Sequence, residues 1–120
     1  MKIKSLGTII LTRSLECSTP DGSMTQVVIE VGRPKKYRSH VSYCPYRITG
    51  LGDGELNYAM GADHLHALLL ALVKIGTVVY SSPEAKQERL TWLGDESHNL
   101  GLPVVAEHYG HIAAQMKLIV

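Results

Sequence analysis

The 120-residue chain has two cysteines, almost no net charge, no internal repeat, no low-complexity tract and no apolar run long enough to cross a membrane. Each shortage removes a class of protein. Cys17 and Cys44 do not form the dense cysteine framework that staples small secreted domains, so both read as free thiols of a reducing compartment. A formal net charge of +1 creates no global field to gather nucleic acid or an anionic membrane, so any steering has to come from a local patch. The longest apolar segment is interrupted by Lys74 and falls short of the roughly 20 apolar residues that a membrane span requires. The opening Met1-Lys2-Ile3-Lys4 is basic, but the apolar stretch after it, Gly7 to Leu11, is too short for a signal-peptide core and runs into Arg13 without a small-residue cleavage site. The expectation is a cytoplasmic protein without a membrane span.

What is present fits one globular α+β domain over residues 1–120, with 45% apolar and 19% charged residues. Thr8 to Cys17 is rich in β-branched and aliphatic residues. Thr19-Pro20-Asp21-Gly22-Ser23 supplies a turn, and Thr25 to Val31 alternates, with Val27, Ile29 and Val31 on one face. That pattern predicts a hairpin. Lys35 to Ser39 reads as a polar basic connection, followed by a strand from His40 to Thr49. Its phase slips at Cys44-Pro45, which predicts an edge strand or a bulge there.

A loop, Gly50 to Gly54, leads towards a helix over His64–Tyr80 with Asp63 as its N-cap. Leu65, Leu68, Leu69, Leu72, Ile75, Gly76 and Val79 recur at helical spacing, and further apolar residues widen the stripe. The expectation is a central helix covered on more than one side, burying about six large side chains at roughly 2 kcal/mol each. Ser81-Ser82-Pro83 ends it. A polar linker then reaches a fourth short strand around Leu90 and Trp92, and Val105, His108, Tyr109, Ile112, Met116 and Ile119 predict a C-terminal helix over 104–120. The order gives an antiparallel sheet of about four strands packed on the central helix, since no βαβ unit repeats.

Most candidates for chemistry weaken on spacing. His64 and His66, two apart on a helix, point in different directions and read as exposed polar residues of its first turn. His98, Glu107, His108 and His111 are near in sequence but match no established metal-ligand spacing. Cys44 shares a strand face with His40 at roughly 13 Å, too far for a base to reach a nucleophile, and reads as a small core residue. The Gly50–Gly54 loop lacks the lysine and the immediate helix of a phosphate cradle. No metal, cofactor or catalytic group is expected.

The basic run stands apart. Arg33, Lys35, Lys36 and Arg38 lie within six residues, Arg47 follows, and Tyr37, Tyr43 and Tyr46 are interleaved. Cations among tyrosines suit phosphate contacts and base stacking. The same pattern also serves a solvated edge strand protected by charge and proline, which is the plainer account.

Glu30 to Pro34, Cys44 to Ile48, Gly50 to Asp53, Gly61 to Leu72, Leu90 to Asp95 and Leu100 to Pro103, in that order, resemble a family of small bacterial proteins known as a domain of unknown function, DUF6968. The resemblance covers about three quarters of the chain, with the stretch from Val104 as an addition. It implies this α+β architecture and a bacterial, cytoplasmic setting, and it brings no activity, cofactor or site residue. The resulting expectation is a non-enzymatic protein-binding module, such as an immunity protein against a cognate toxin. Its partner would be a toxin or a second copy in a homodimer, and the contact would be made by Arg33, Lys35, Lys36, Tyr37, Arg38 and Arg47 or by the C-terminal helix. A small-ligand or nucleic-acid-binding regulator using the same Arg33 to Arg47 surface is the alternative, with nucleic acid ranked below protein.

Overall fold

In the computed structural model, which describes residues 1–104, the expected hairpin forms with β1 at Ile9–Ser18 and β2 at Met24–Gly32. There follow β3 (Lys35–Arg38), β4 (Val41–Thr49), β5 (Leu56–Gly61), α1 (His64–Tyr80), the short α2 (Pro83–Lys86) and β6 (Leu90–Thr91). The strands form one six-stranded sheet along the path β3-β4-β2-β1-β6, with β5 added on β4. The pairings of β4 with β2, β3 and β5, and of β1 with β6, are antiparallel. The α+β class is as expected, with two more strands than the four anticipated. The C-terminal helix expected over 104–120 lies outside the described residues.

Both additional strands have weak patterns. All four residues of β3 are exposed, so it shows no apolar alternation. Only Ala59 of β5 is buried, and the strand follows a glycine-rich loop.

The chain gathers into two compact units, one of Met1–Ser14 with Val27–Ala71, the other of Leu15–Gln26 with the chain from Leu72 onward. In the first, β4 is the interior strand. Its Ser42, Cys44, Tyr46 and Ile48 are buried on one face, and Pro45 is buried as well, so the alternation is interrupted at Cys44-Pro45-Tyr46 while the pairing with β5 runs through. On one side β5 pairs along Ser42 to Arg47. On the other, β3 pairs with Val41 to Tyr43 and β2 with Tyr46 to Thr49. The slip expected at Cys44-Pro45 is therefore not a break in β4, nor is β4 an edge. Pro45 falls where the partner chain changes from β3 to β2, opposite the Gly32-Arg33-Pro34 junction, and the register irregularity itself lies between Lys36 and Arg38.

Gly32 makes that junction possible. A Cβ there would stand 2.0 Å from the Leu6 carbonyl oxygen and 2.8 Å from Pro45 Cγ, so the N-terminal segment crosses over a position that only glycine can occupy. The Arg33 amide donates to the Thr8 carbonyl at 2.8 Å, fixing the same crossing. Beneath it the Cys44 thiol donates to the Gly32 carbonyl at 3.5 Å, and burial pushes that thiol up to about 11. At the start of α1, Asp63 is the N-cap, its Oδ1 accepting the His66 amide at 2.8 Å. His66 Nδ1 in turn accepts the Ala62 amide at 2.9 Å.

In the second unit, the end of β1 pairs with β6, Glu16 opposite Thr91 and Cys17 opposite Leu90. Leu15, Ile75, Val79, Leu90 and Leu100 are its most deeply buried side chains. The hairpin turn is tied by Asp21, whose Oδ1 accepts the Ser23 amide at 2.9 Å and the Ser23 hydroxyl at 2.6 Å, with the Thr19 hydroxyl as a further donor. The Ser23 and Thr19 hydroxyls and the Ser23 amide hold its carboxyl at about 2. Ser82 caps α2 through the Ala85 amide at 3.2 Å. Tyr80 accepts the Leu100 amide on its hydroxyl at 2.9 Å.

Helix α1 has the expected bounds but not the expected burial. Ala67, Ala71, Ile75 and Val79, each four apart, are fully buried together with Gly76, whereas Leu65 is 64% and Leu69 51% exposed. Only two of the buried four are large, so the estimate of six buried large side chains is too high. The reason is the backbone's closeness: a Cβ on Gly76 would lie 1.9 Å from the Pro103 carbonyl, and one on Gly61 2.4 Å from the Ala67 amide. The buried ridge is built of small residues where neighbouring chain lies against it, and the leucines fall to its flanks.

These contacts set three expectations. Gly76→Ala gains about 1 kcal/mol of helix propensity in an unobstructed helix, but the clash with the Pro103 carbonyl reverses the sign. A loss of about 1–3 kcal/mol in urea titration is expected from overpacking. Cys44 should resist a thiol-specific reagent at pH 8 in the folded protein and react promptly once unfolded, as mass spectrometry after timed alkylation would show. Asp21 has a lowered folded pKa, so its contribution is present above its ordinary value of 3.8 and lost as pH falls through about 2. Asp21→Asn should flatten the fall in urea midpoint between pH 5 and pH 2.

Candidate functional site

The side chains of the basic run are displayed by β3 and the turn before it. Arg33, Lys35, Lys36, Tyr37 and Arg38 are all exposed, because β3 pairs only with the start of β4 and projects away from the buried face. The register shift between Lys36 and Arg38 leaves Tyr37 at the irregularity, with the Arg38 guanidinium 5.6 Å from its ring centroid. Lys35 stands opposite Tyr43 on β4, and the Tyr43 ring meets Tyr58 edge to face, centroids 6.5 Å apart.

Arg47 does not belong to this group. It lies four residues beyond Tyr43 on β4, about 13 Å along the strand, and is half-buried opposite Glu30 of β2 and Leu56 of β5. Tyr46 points to the buried face, where burial pushes its hydroxyl up. The interleaved pattern read along the sequence thus divides between two faces of the sheet.

Two lysines take their place. The N-terminal segment crosses Gly32 and runs beside β3, and the Tyr58 hydroxyl donates to the Met1 carbonyl at 2.9 Å. Lys2 and Lys4 thereby line, with Lys35 and Lys36, an open pocket of about 430 Å³ that Tyr37 and Tyr43 also line. The only trace of this in the sequence was the alternating Lys2-Ile3-Lys4, which carries no message until the chain is folded back.

Charge is segregated as a result. Six of the twelve cationic residues, Lys2, Lys4, Arg33, Lys35, Lys36 and Arg38, lie on these two segments, which hold no carboxylate, while the other six are set against eleven carboxylates elsewhere. The near-neutral total hides one basic region on an acidic remainder.

The remaining candidates resolve into structural roles. Cys44 is buried with its thiol pushed up to about 11, which leaves about one part in ten thousand as thiolate at pH 7, while His40 is exposed in the β3–β4 turn. His64, expected as a simple surface residue, is exposed yet its Nδ1 lies 2.8 Å from the hydroxyl of the buried Ser42. A serine 4% exposed offers a substrate no approach, and the pair ties α1 to β4. In the Gly50–Gly54 loop the Asp53 carboxylate accepts the Glu55 amide at 2.9 Å, using an amide that a phosphate cradle would present to its ligand. His98 Nδ1 is 2.9 Å from the Leu90 carbonyl. Glu107, His108 and His111 lie outside the described residues. Among the described residues no three of His, Cys, Asp and Glu gather as a metal site, and no helix is long and apolar enough to cross a membrane.

Comparison with known proteins adds a family and no activity. No curated protein and no solved structure matches the chain. Residues 11–104, more than three quarters of the sequence, match the family described as a domain of unknown function, DUF6968, and the match ends where the described residues end. The chain therefore belongs to the DUF6968 family.

Proposed function

We propose that the protein is a non-enzymatic binding module that presents the basic strip of Arg33, Lys35, Lys36, Tyr37 and Arg38 to an acidic protein partner. The segregation of half of all cationic residues onto two neighbouring exposed segments carries this reading. Folding gains little from such an arrangement, since like charges held together repel. It does favour association, because complementary potentials raise the encounter rate and exclude partners of the wrong sign. Tyr37, exposed beside Arg38, supplies the aromatic and arginine pair that interfaces concentrate at their centres.

The sign of the strip narrows the partner. A second copy docking through the same strip would set cation against cation, so an isologous dimer here is disfavoured. A cognate toxin remains a fitting partner where its exposed surface is acidic. A nuclease neutralised at its cationic substrate groove is the wrong match.

The test is fluorescence anisotropy with a labelled twelve-residue polyglutamate peptide and a labelled twelve-nucleotide single-stranded DNA, at 50 and 200 mM salt. The peptide should bind with salt-dependent affinity and lose at least tenfold on Arg33→Glu with Arg38→Glu. Arg47→Glu should leave it nearly unchanged if the variant stays folded. Tighter binding of the DNA, weakened by Tyr37→Ala, would replace this reading with the nucleic-acid alternative. No binding of either would refute the strip as a contact surface.

A further inference from the structure

We propose that the pocket between the N-terminal segment and β3 binds a diphosphate group carried on a small organic molecule. This deepens the binding-module reading and rests on the same basic region, but it concerns the open pocket beside the N-terminal segment rather than the whole strip. Its volume, about 430 Å³, lies in the range of small-ligand sites.

The distribution of charge selects the ligand. Lys2 and Lys4 from the N-terminal segment and Lys35 and Lys36 from β3 line it together, and no carboxylate is among the lining residues. Lysine ammonium groups bind phosphate as point charges, so the number of charges gathered, and not a bidentate fork, sets the ligand's charge. A monophosphate offers about two charges at one centre, half of what the four lysines present. A diphosphate carries more charge, on two linked centres, and so matches the lysines of both segments better.

The two segments are held by contacts independent of any ligand. The Tyr58 hydroxyl bonds the Met1 carbonyl, Gly32 admits the crossing of the N-terminal segment at Leu6, and a Cβ on Gly7 would come within 3.0 Å of the Lys35 ammonium nitrogen. Lys35 is thus seated against the N-terminal segment at Gly7. Tyr37 and Tyr43 occupy the rest of the lining. They give a flat organic group an aromatic surface, and a nucleoside diphosphate is the simplest ligand of that description.

Isothermal titration of the full chain in 50 mM salt, with inorganic pyrophosphate, inorganic phosphate and ADP as separate probes, tests the proposal. One pyrophosphate per chain should bind at least tenfold more tightly than phosphate, and ADP more tightly than pyrophosphate. Lys2→Gln with Lys35→Gln, one from each segment, should weaken pyrophosphate at least tenfold while leaving the urea midpoint unchanged. Tyr37→Ala should lower the affinity for ADP towards that for pyrophosphate. Absence of pyrophosphate binding, equal affinity for phosphate and pyrophosphate, or an unaltered Lys2→Gln/Lys35→Gln variant would each overturn the pocket as a diphosphate site. The polyglutamate measurement with Arg33→Glu and Arg38→Glu separates the two ideas: peptide binding without pyrophosphate binding retains the module and rejects this pocket, and the reverse rejects the protein-partner reading.

Discussion

The crossing of the N-terminal segment over Gly32 is the constraint on which the functional surface depends. With no side chain at that position, the Leu6 carbonyl approaches the backbone where β2 gives way to β3, and the Arg33 amide is secured on Thr8. The joining of the two basic segments follows from this contact. It brings Lys2 and Lys4 to one pocket with Lys35 and Lys36, and places the break in pairing opposite Pro45, which has no amide to donate.

Strand β4 gives that crossing its foundation. Being interior, it buries Ser42, Cys44, Tyr46 and Ile48 on one face and leaves Tyr43 beside Lys35 on the other. The thiol of Cys44 and the hydroxyl of Ser42, two groups that in other surroundings serve as nucleophiles, are spent on the Gly32 carbonyl and on His64. Polar atoms carried into the interior have to be satisfied there, and these contacts meet that demand. The same economy governs α1. Its buried ridge is alanine, glycine and medium-sized side chains because backbone at Gly61 and Pro103 lies against it, so chain proximity and not the count of leucines decides which residues are covered.

The legible parts of the fold were those with strong local signals. The β1–β2 hairpin announced itself through alternation and a Pro-Asp-Gly turn, and α1 through its length, its Asp63 cap and the Ser-Ser-Pro stop. β3 and β5 were missed because edge positions impose no apolar alternation, and β3 is exposed throughout, with three basic residues and Tyr37. The phase slip at Cys44-Pro45 was misread because a proline signals a missing donor without saying which neighbour changes there. In the site, Arg33, Lys35, Lys36, Tyr37 and Arg38 were found by their density, Arg47 was included by nearness along the chain and belongs elsewhere, and Lys2 and Lys4 were overlooked.

By itself the sequence determined the class of fold, the hairpin, the helix bounds and the existence of a basic run, because each is written in neighbours a few residues apart. Tertiary structure alone decided which residues share a surface. Lys2 and Lys35 are thirty-three positions apart, and only a glycine that lets two backbones touch brings them to one pocket. A net charge near zero is a sum over the chain and holds no information about place, whereas recognition depends on place.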